Sequence, residues 1–365
     1  MSAMSINVGP VHPGTHGALR LVVDVDGDAV RRVEPHIGFL HRGVEKLMET
    51  RLYMQNIPYT EKLDYAAPLS WDDLYVSAVE QAMGIAVKER AQYLRVILLE
   101  FQRIASHMLW LGTFADDLGQ LHTMSMWTLR DRARIMKLMQ DVSGGRMSHL
   151  NLRLGGFKSA LPEDFEKRAY DLTDHLEASV LRYPEMLDDN PVFMERTKGI
   201  GVLEKADAIE YGVAGPVLRA SGIEEDARKS SPYYVYDKII FNVPTGSHGD
   251  CFDRYRVRYE EMLESIKIIR QALDAMPKRG DLIGAPIKLA GPDAKPDPVV
   301  ALRELPRGEG MIYMIPDKQR PYRVSLRSPA FVNLAALPKM AEGCTFADLF
   351  SILGSIDIIV AELDR

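Results

Sequence analysis

The chain has 365 residues, a formal net charge of −6 and no long basic run, which argues against nucleic acid as a partner. Hydrophobic residues make up 46% and charged residues 26%, enough for a globular protein with a substantial core. No apolar run approaches the ~20 residues of a membrane span and no signal-peptide pattern opens the chain, so the expectation is an intracellular protein or one resting on a membrane without crossing it.

The stretch from Asn7 to Gly17 reads Asn-Val-Gly-Pro-Val-His-Pro-Gly-Thr-His-Gly. Its glycines and prolines exclude a helix interior or a central strand. It sets His12 and His16 on one loop, where they either bond nearby backbone or present a titratable donor to a ligand. Ala18–Val25 and Ala29–Glu34, separated by Asp26-Gly27-Asp28, predict a hairpin that holds the loop at its mouth. Val44–Glu49 is a short helical pattern, and Pro58 predicts a bend between Arg51 and Tyr65. Asp72 and Asp73 read as the start of a helix that runs towards Gly84.

Lys88–Gly112 is the clearest helix, with Leu94, Ile97, Leu98, Phe101, Ile104 and Met108 on one face and Arg95, Glu100, Arg103 and His107 marking a polar side. A second helix spans roughly Leu121–Val142, stopped by Gly144-Gly145, with Arg130, Asp131, Arg132 and Arg134 as a solvated or partner-facing side. Methionines gather here, at Met124, Met126, Met136, Met139 and Met147, as core filling or as an adaptable apolar surface. Leu161-Pro162 begins a helix that runs towards Asp189, 199–226 reads as loop and short turns, and Tyr236–Val243 reads as a strand. Asp250–Met276 is a long amphipathic helix. A Pro- and Gly-rich surface excursion, a second hairpin (Met311–Ile315 with Tyr322–Leu326) and a helix over Thr345–Ile359 complete the pattern. The expected organisation is one α+β, mainly α domain: 1–36 loop and hairpin, 37–276 helical core, 277–306 excursion, and 307–365 hairpin and helix.

Much chemistry is excluded. Cys251 and Cys344 form no Cys-x-x-Cys pair and cannot hold an iron–sulfur cluster or a structural zinc by themselves. There is no Rossmann glycine fingerprint and no Walker loop, and Ser125 and Ser143 lack a nucleophile-elbow context. Pro13 and the glycines keep His12 and His16 off a common helix face, so no metal is expected on them. What remains is His16 on the loop, Tyr65 after Asp64, and Asp117 at a helix end. A histidine and a tyrosine can each donate to an oxygen while a carboxylate orients the imidazole, as a two-electron, two-proton carrier such as a quinone requires. Each also has an ordinary structural use, Asp117 as a cap and Tyr65 as a core aromatic.

Gly9-Pro-Val-His-Pro-Gly-Thr-His-Gly17, Leu40-His-Arg-Gly-Val-Glu-Lys46, Arg51-Leu-Tyr-Met-Gln55, Asp64-Tyr65, Gly155-Gly156, Arg219-Ala-Ser-Gly222, Pro321-Tyr-Arg323, Gly354-Ser-Ile-Asp-Ile358 and Glu362-Leu-Asp-Arg365 occur in this order. Together they resemble the 49-kilodalton subunit family of respiratory complex I, the D component of NADH–quinone oxidoreductase, over essentially the whole chain. The resemblance implies the helical-bundle fold shared with nickel–iron hydrogenase large subunits, with small peripheral β-hairpins. Those hydrogenases hold metals on two Cys-x-x-Cys pairs; the matching stretches here, Leu63–Ala67 and Asp357–Glu362, lack cysteine, which excludes hydrogenase chemistry.

The resemblance further implies a quinone site shared with the small iron–sulfur subunit, the B component of the complex, which carries a [4Fe-4S] cluster. The C component and the membrane-embedded H component are implied as further partners. His16 and Tyr65 would bond the quinone headgroup, Asp117 would pair with His16, and electron transfer would be coupled to proton translocation at the cytoplasmic side of the cell membrane. Lys62 stands where the family usually has Arg beside the cluster, and Ser148 where many members have His, with His149 one residue on. These three are expected to face the cluster without ligating it. The departures keep two alternatives open: the same subunit of an archaeal deazaflavin-coenzyme dehydrogenase reducing methanophenazine, or a non-catalytic assembly subunit.

Overall fold

Long stretches free of glycine and proline set the frame, and turn residues cut it into helices. The computed structural model describes residues 4–119, 122–284 and 297–365. Strands β1 (Met4–Val8), β2 (Arg20–Asp26) and β3 (Ala29–His36) form an antiparallel sheet with β2 in the middle. Short helices α1 (Val44–Met48) and α2 (Tyr53–Thr60) lead into α3 (Pro68–Met83), α4 (Glu89–Asp117) and α5 (Thr123–Ser143). A small hairpin, β4 (Leu152–Arg153) with β5 (Gly156–Phe157), precedes α6 (Phe165–Val180). Next come α7 (Tyr183–Leu187), α8 (Pro191–Glu195), α9 (Lys205–Glu210), α10 (Gly215–Ala220), α11 (Ala227–Ser230) and the long α12 (Cys251–Ala275). A second antiparallel sheet runs β6 (Val299–Leu305), β7 (Gly308–Pro316), β8 (Pro321–Arg327), followed by α13 (Pro329–Ala335), α14 (Leu337–Ala341), α15 (Phe346–Ile356) and α16 (Val360–Asp364). The fold is mainly helical α+β, as the sequence implies.

Helix α4 is the axis. Its 29 residues span on the order of 40 Å, with α5 packed on one side and α12 on the other. Asp250 caps α12, its carboxylate accepting from the Asp253 amide at 2.8 Å. Gly144, at φ 82°, ends α5 in the left-handed conformation that a side chain would disfavour. Strand β2 buries Leu21, Val23 and Val25 at period two against this frame.

Several expectations are corrected. The polar side of α4 is buried: Arg95, Glu100, Arg103 and His107 all lie in the interior, paired with groups from other elements. Asp131, expected on a solvated face, is buried and bonded by Arg130, His175 and Tyr183. Helix α3 begins at Pro68, four residues before the acids read as its start, because proline suits the first helical position. The short α2 absorbs Pro58 in its last turn, losing only one ladder bond.

Tyr236–Val243 is not a strand. Tyr236–Lys238 forms a 3-10 turn, and the extended residues after it bond to α12 side chains: Ile240 N–H donates to Gln271 Oε1 and Asn242 N–H to Glu264 Oε2. The segment 277–306 is not wholly a surface excursion, since Val299–Leu305 is a strand. The stretch 199–226 holds the helices α9 and α10; the helix expected over Thr345–Ile359 is α15, which stops at Asp357, and the further short helix α16 follows it. The expected start of the second long helix at Leu121, and residues 285–296 of the excursion, lie outside the described residues.

Candidate functional site

Strand β1 pairs Val8 with Leu21 of β2, so the histidine loop is held on both sides rather than by the hairpin alone. Within it Pro13–Thr15 form a 3-10 turn, and the buried Thr15 hydroxyl lies 2.8 and 2.9 Å from the carbonyls of His12 and Gly17. The Gly14 amide donates to His12 Nδ1 at 3.1 Å, and the His12 ring stacks on Phe350 of α15. His12 thus serves the loop and does not turn towards His16's partner. A Cβ on Gly14 would sit 2.6 Å from the Phe350 ring, so this glycine lets the loop lie flat on α15.

His16 follows the turn at φ 52°, a left-handed conformation that aims its ring inward. Its Nε2 lies 2.6 Å from Asp117 Oδ2, the last residue of α4, and each side chain is 19% exposed. Burial alone would lower the imidazole's proton affinity. The hydrogen bond and charge of Asp117, with the charge of Asp357, outweigh it and raise the pKa above the ordinary 6.5. The helix C-terminus favours the same protonated form.

Tyr65 is half exposed, and no described residue hydrogen-bonds its hydroxyl. Burial pushes its pKa up; Arg307 opposes this and the charges of Asp64 and Asp357 add to it. Asp64 is buried, taking the Ala66 and Ala67 amides on one oxygen and Arg307 Nη1 at 2.5 Å on the other. Arg307 Nη2 lies 3.5 Å from Asp357 Oδ1 and also donates to Ser106 Oγ. Asp357 sits at φ 60° between α15 and α16, and its charge acts on both His16 and Tyr65. Glu362 is held by the Trp71 indole N–H at 2.7 Å and by Ser328; burial, with Asp64 nearby, pushes it up to about 7. The stretches Leu63–Ala67 and Asp357–Glu362 therefore converge, and what they hold between them is the guanidinium of Arg307.

The structure joins His16 to Asp117 directly; Tyr65 has no hydrogen bond to that pair and shares with His16 only the influence of the Asp357 charge. Arg307 and Asp357 are the residues beside this candidate site that residue-level reading missed. Arg307 lies in Leu305-Pro-Arg-Gly308, which reads as an ordinary turn, and only its partners reveal its place. Lys62 and Ser148 meet, Nζ to Oγ at 2.9 Å, so the two departures contact each other. His149 lies apart from them: its ring is buried beneath its own loop, with Nδ1 3.1 Å from the Gly145 carbonyl, and burial with the nearby Arg132 charge lowers its pKa to about 4. Two surface cavities lie elsewhere, one between Arg90, Leu161 and Asp281 and another between His41, Lys46 and Asp364.

Residues 117–365 match the family model described as the respiratory-chain NADH dehydrogenase 49 Kd subunit. The chain is 45% identical over 361 residues to the D component of NADH-quinone oxidoreductase from Dehalococcoides mccartyi, covering 99% of this chain and 98% of that protein. It is 43% identical to the same component from Geotalea uraniireducens and 42% identical to that from Geobacter metallireducens, again over 99% of this chain and 98% of each relative.

Proposed function

Because this chain belongs to the respiratory-chain NADH dehydrogenase 49-kilodalton subunit family, we propose that it acts as a peripheral-arm subunit of an NADH:quinone oxidoreductase and that His16, Tyr65 and Asp117 are its half of the quinone-reduction site. The observation that carries this is the 2.6 Å His16–Asp117 pair; Tyr65, whose hydroxyl has no hydrogen-bond partner among the described residues, supports it. Reducing a quinone takes two electrons and two protons. A [4Fe-4S] cluster in the small iron–sulfur subunit would supply the electrons, and the protons would come through this chain.

His16 is bound at Nε2, which leaves Nδ1 to donate to one headgroup oxygen. Tyr65 donates to the other, and its raised pKa keeps the hydroxyl protonated at neutral pH. Arg307, fixed by Asp64 and Asp357, sets the field at the site without reaching the surface. When His16 gives up its proton, the uncompensated Asp117 charge and a shift of the glycine loop pass the event to the membrane partner. The small iron–sulfur subunit closes the open side, with the C component and the membrane-embedded H component as further neighbours. No described helix is long and apolar enough to cross a membrane, so attachment comes through those partners.

Asp117→Asn tests the pairing. The Asp117 hydrogen bond and charge raise the His16 pKa, so their removal lowers it, and the proton is missing first at high pH. An assembled complex carrying Asp117→Asn should lose turnover progressively as pH rises. A wild-type rate and pH profile would show that the pair does not serve proton delivery.

A further inference from the structure

Behind the site, α4, α10, α11, α12 and β6 bury four carboxyl groups with three guanidinium groups. The acids are Glu100, Asp226, Glu261 and Glu304; the bases are Arg103, Arg219 and Arg228. Fully ionised, this group carries one negative charge too many for a dry interior, where an uncompensated carboxylate takes a proton instead. Two neighbours do not balance the count. Arg303 is matched by Asp73 at 3.1 Å. Arg258 bonds only the carbonyls of Arg254 and Ile356, and its charge is drawn to Asp357 as well as to Glu261.

Donor geometry selects the acid that is short of partners. Glu100 receives Arg103, Arg228, Tyr236 and Ser265. Asp226 receives the Arg228 amide and two of its guanidinium nitrogens. Glu261 receives two nitrogens of Arg219 and lies 2.9 Å from His107 Nε2. Among the described residues Glu304 receives only Arg219 Nη1 at 2.9 Å and the Ala227 amide at 3.2 Å. His107 is a poor place for the proton, because its Nδ1 is buried with no acceptor.

We infer that Glu304 is a buried proton-binding site: its carboxyl group holds one exchangeable proton that balances the four-acid, three-arginine cluster. The charged groups facing it are Arg103 and Glu100 from α4, Arg219 from α10, Arg228 and its cap Asp226 from α11, and Glu261 from α12. Across the β6–β7 ladder stands Glu309, paired with Arg327. Burial, reinforced by Asp226 against the three arginines, pushes Glu304 up to about 7, while Arg219 and His107 hold Glu261 low against its own burial. The site is tied to the surface chemistry by covalent structure. Glu304 stands one residue before the Leu305–Gly308 turn that carries Arg307, and Arg103 braces that turn through the carbonyls of Glu304 and Leu305 at 2.7 and 3.1 Å. The inference does not depend on the quinone reading.

Infrared difference spectra of the intact complex, acid minus alkaline, test it in protein labelled with [13C]glutamate. The expected result is a labelled carboxylic-acid C=O band that shifts in deuterium oxide, titrates near neutrality, disappears in Glu304→Gln and survives in Glu362→Gln. Glu304→Asp, which keeps an acid but leaves the labelled set, should also remove the band and serves if Glu304→Gln fails to assemble. No titrating glutamate band, or a sole band removed by Glu362→Gln and not by the Glu304 variants, overturns the proposal.

Discussion

The C-terminal end of α4 and its middle carry two groups of ionisable side chains built on contrasting rules. At the Asp117 end, His16 and Tyr65 keep a ring nitrogen and a hydroxyl free of bonds to the described residues, and the loop that carries His16 is seated by glycines. Around Glu100, in the middle of the helix, the buried guanidinium groups of Arg103, Arg219 and Arg228 are all spent on carboxylates or carbonyls. Burial is nearly complete in the second group and partial in the first. Saturated ion pairs hold helices in register, while unsatisfied donors beside solvent are available to a ligand.

The contrast breaks first in the saturated region. Glu261→Ala would remove two of the bonds of Arg219, leaving it Glu304 and the Glu225 carbonyl, and would unpair His107 in the interior, a loss of about 3–5 kcal/mol. The complex should fail to assemble or should melt far below wild type in a thermal scan; a near-normal midpoint would mean the pairing is worth little. Gly14→Ala acts at the seat of the loop. Its Cβ must displace the Phe350 ring, at about 1–3 kcal/mol of strain. Turnover should slow while its pH profile stays that of wild type, and a shifted profile would implicate His16's protonation instead. Tyr65→Phe is the mildest change. It removes one hydrogen bond worth about 1 kcal/mol, roughly a fivefold rise in the apparent KM for quinone with assembly intact. Unchanged quinone kinetics would take Tyr65 out of the site.

Linkage to pH sharpens the same comparison. Glu304 and Glu362, each pushed up to about 7, bind protons more tightly folded than unfolded. Their contribution to stability is full in acid and falls as pH rises through about 7. His16, raised above 6.5, loses its contribution in the same direction.

The fold was legible where helical periodicity ran long and caps marked its ends, as in α4, α5 and α12. It was illegible where partners decide. Tyr236–Val243 has strand-forming residues, yet Gln271 and Glu264 of α12 take its amides, so no ladder forms. Strand β6 hid inside proline- and glycine-rich surroundings, and β1 is too short to announce itself. Arg95, Glu100, Arg103 and His107 read as a wet helix face because amphipathic spacing cannot tell water from a buried counter-ion. Of the site, His16, Tyr65 and Asp117 could be named from the resemblance. Their geometry could not be, since Asp357 and Arg307 lie hundreds of residues downstream in sequence.

The seating of the histidine loop on α15 and α16 has a consequence for biosynthesis. Ribosomes deliver the loop first and its bed, Phe350 and Val360, more than three hundred residues later. At ~5–20 residues per second that interval is on the order of half a minute. Throughout it the strands flanking the loop can pair, but His16 has no settled position, and Arg307 waits for Asp357. Nascent chains therefore expose this segment to chaperones and proteases until α15 and α16 have emerged, and the loop settles only as those two helices dock.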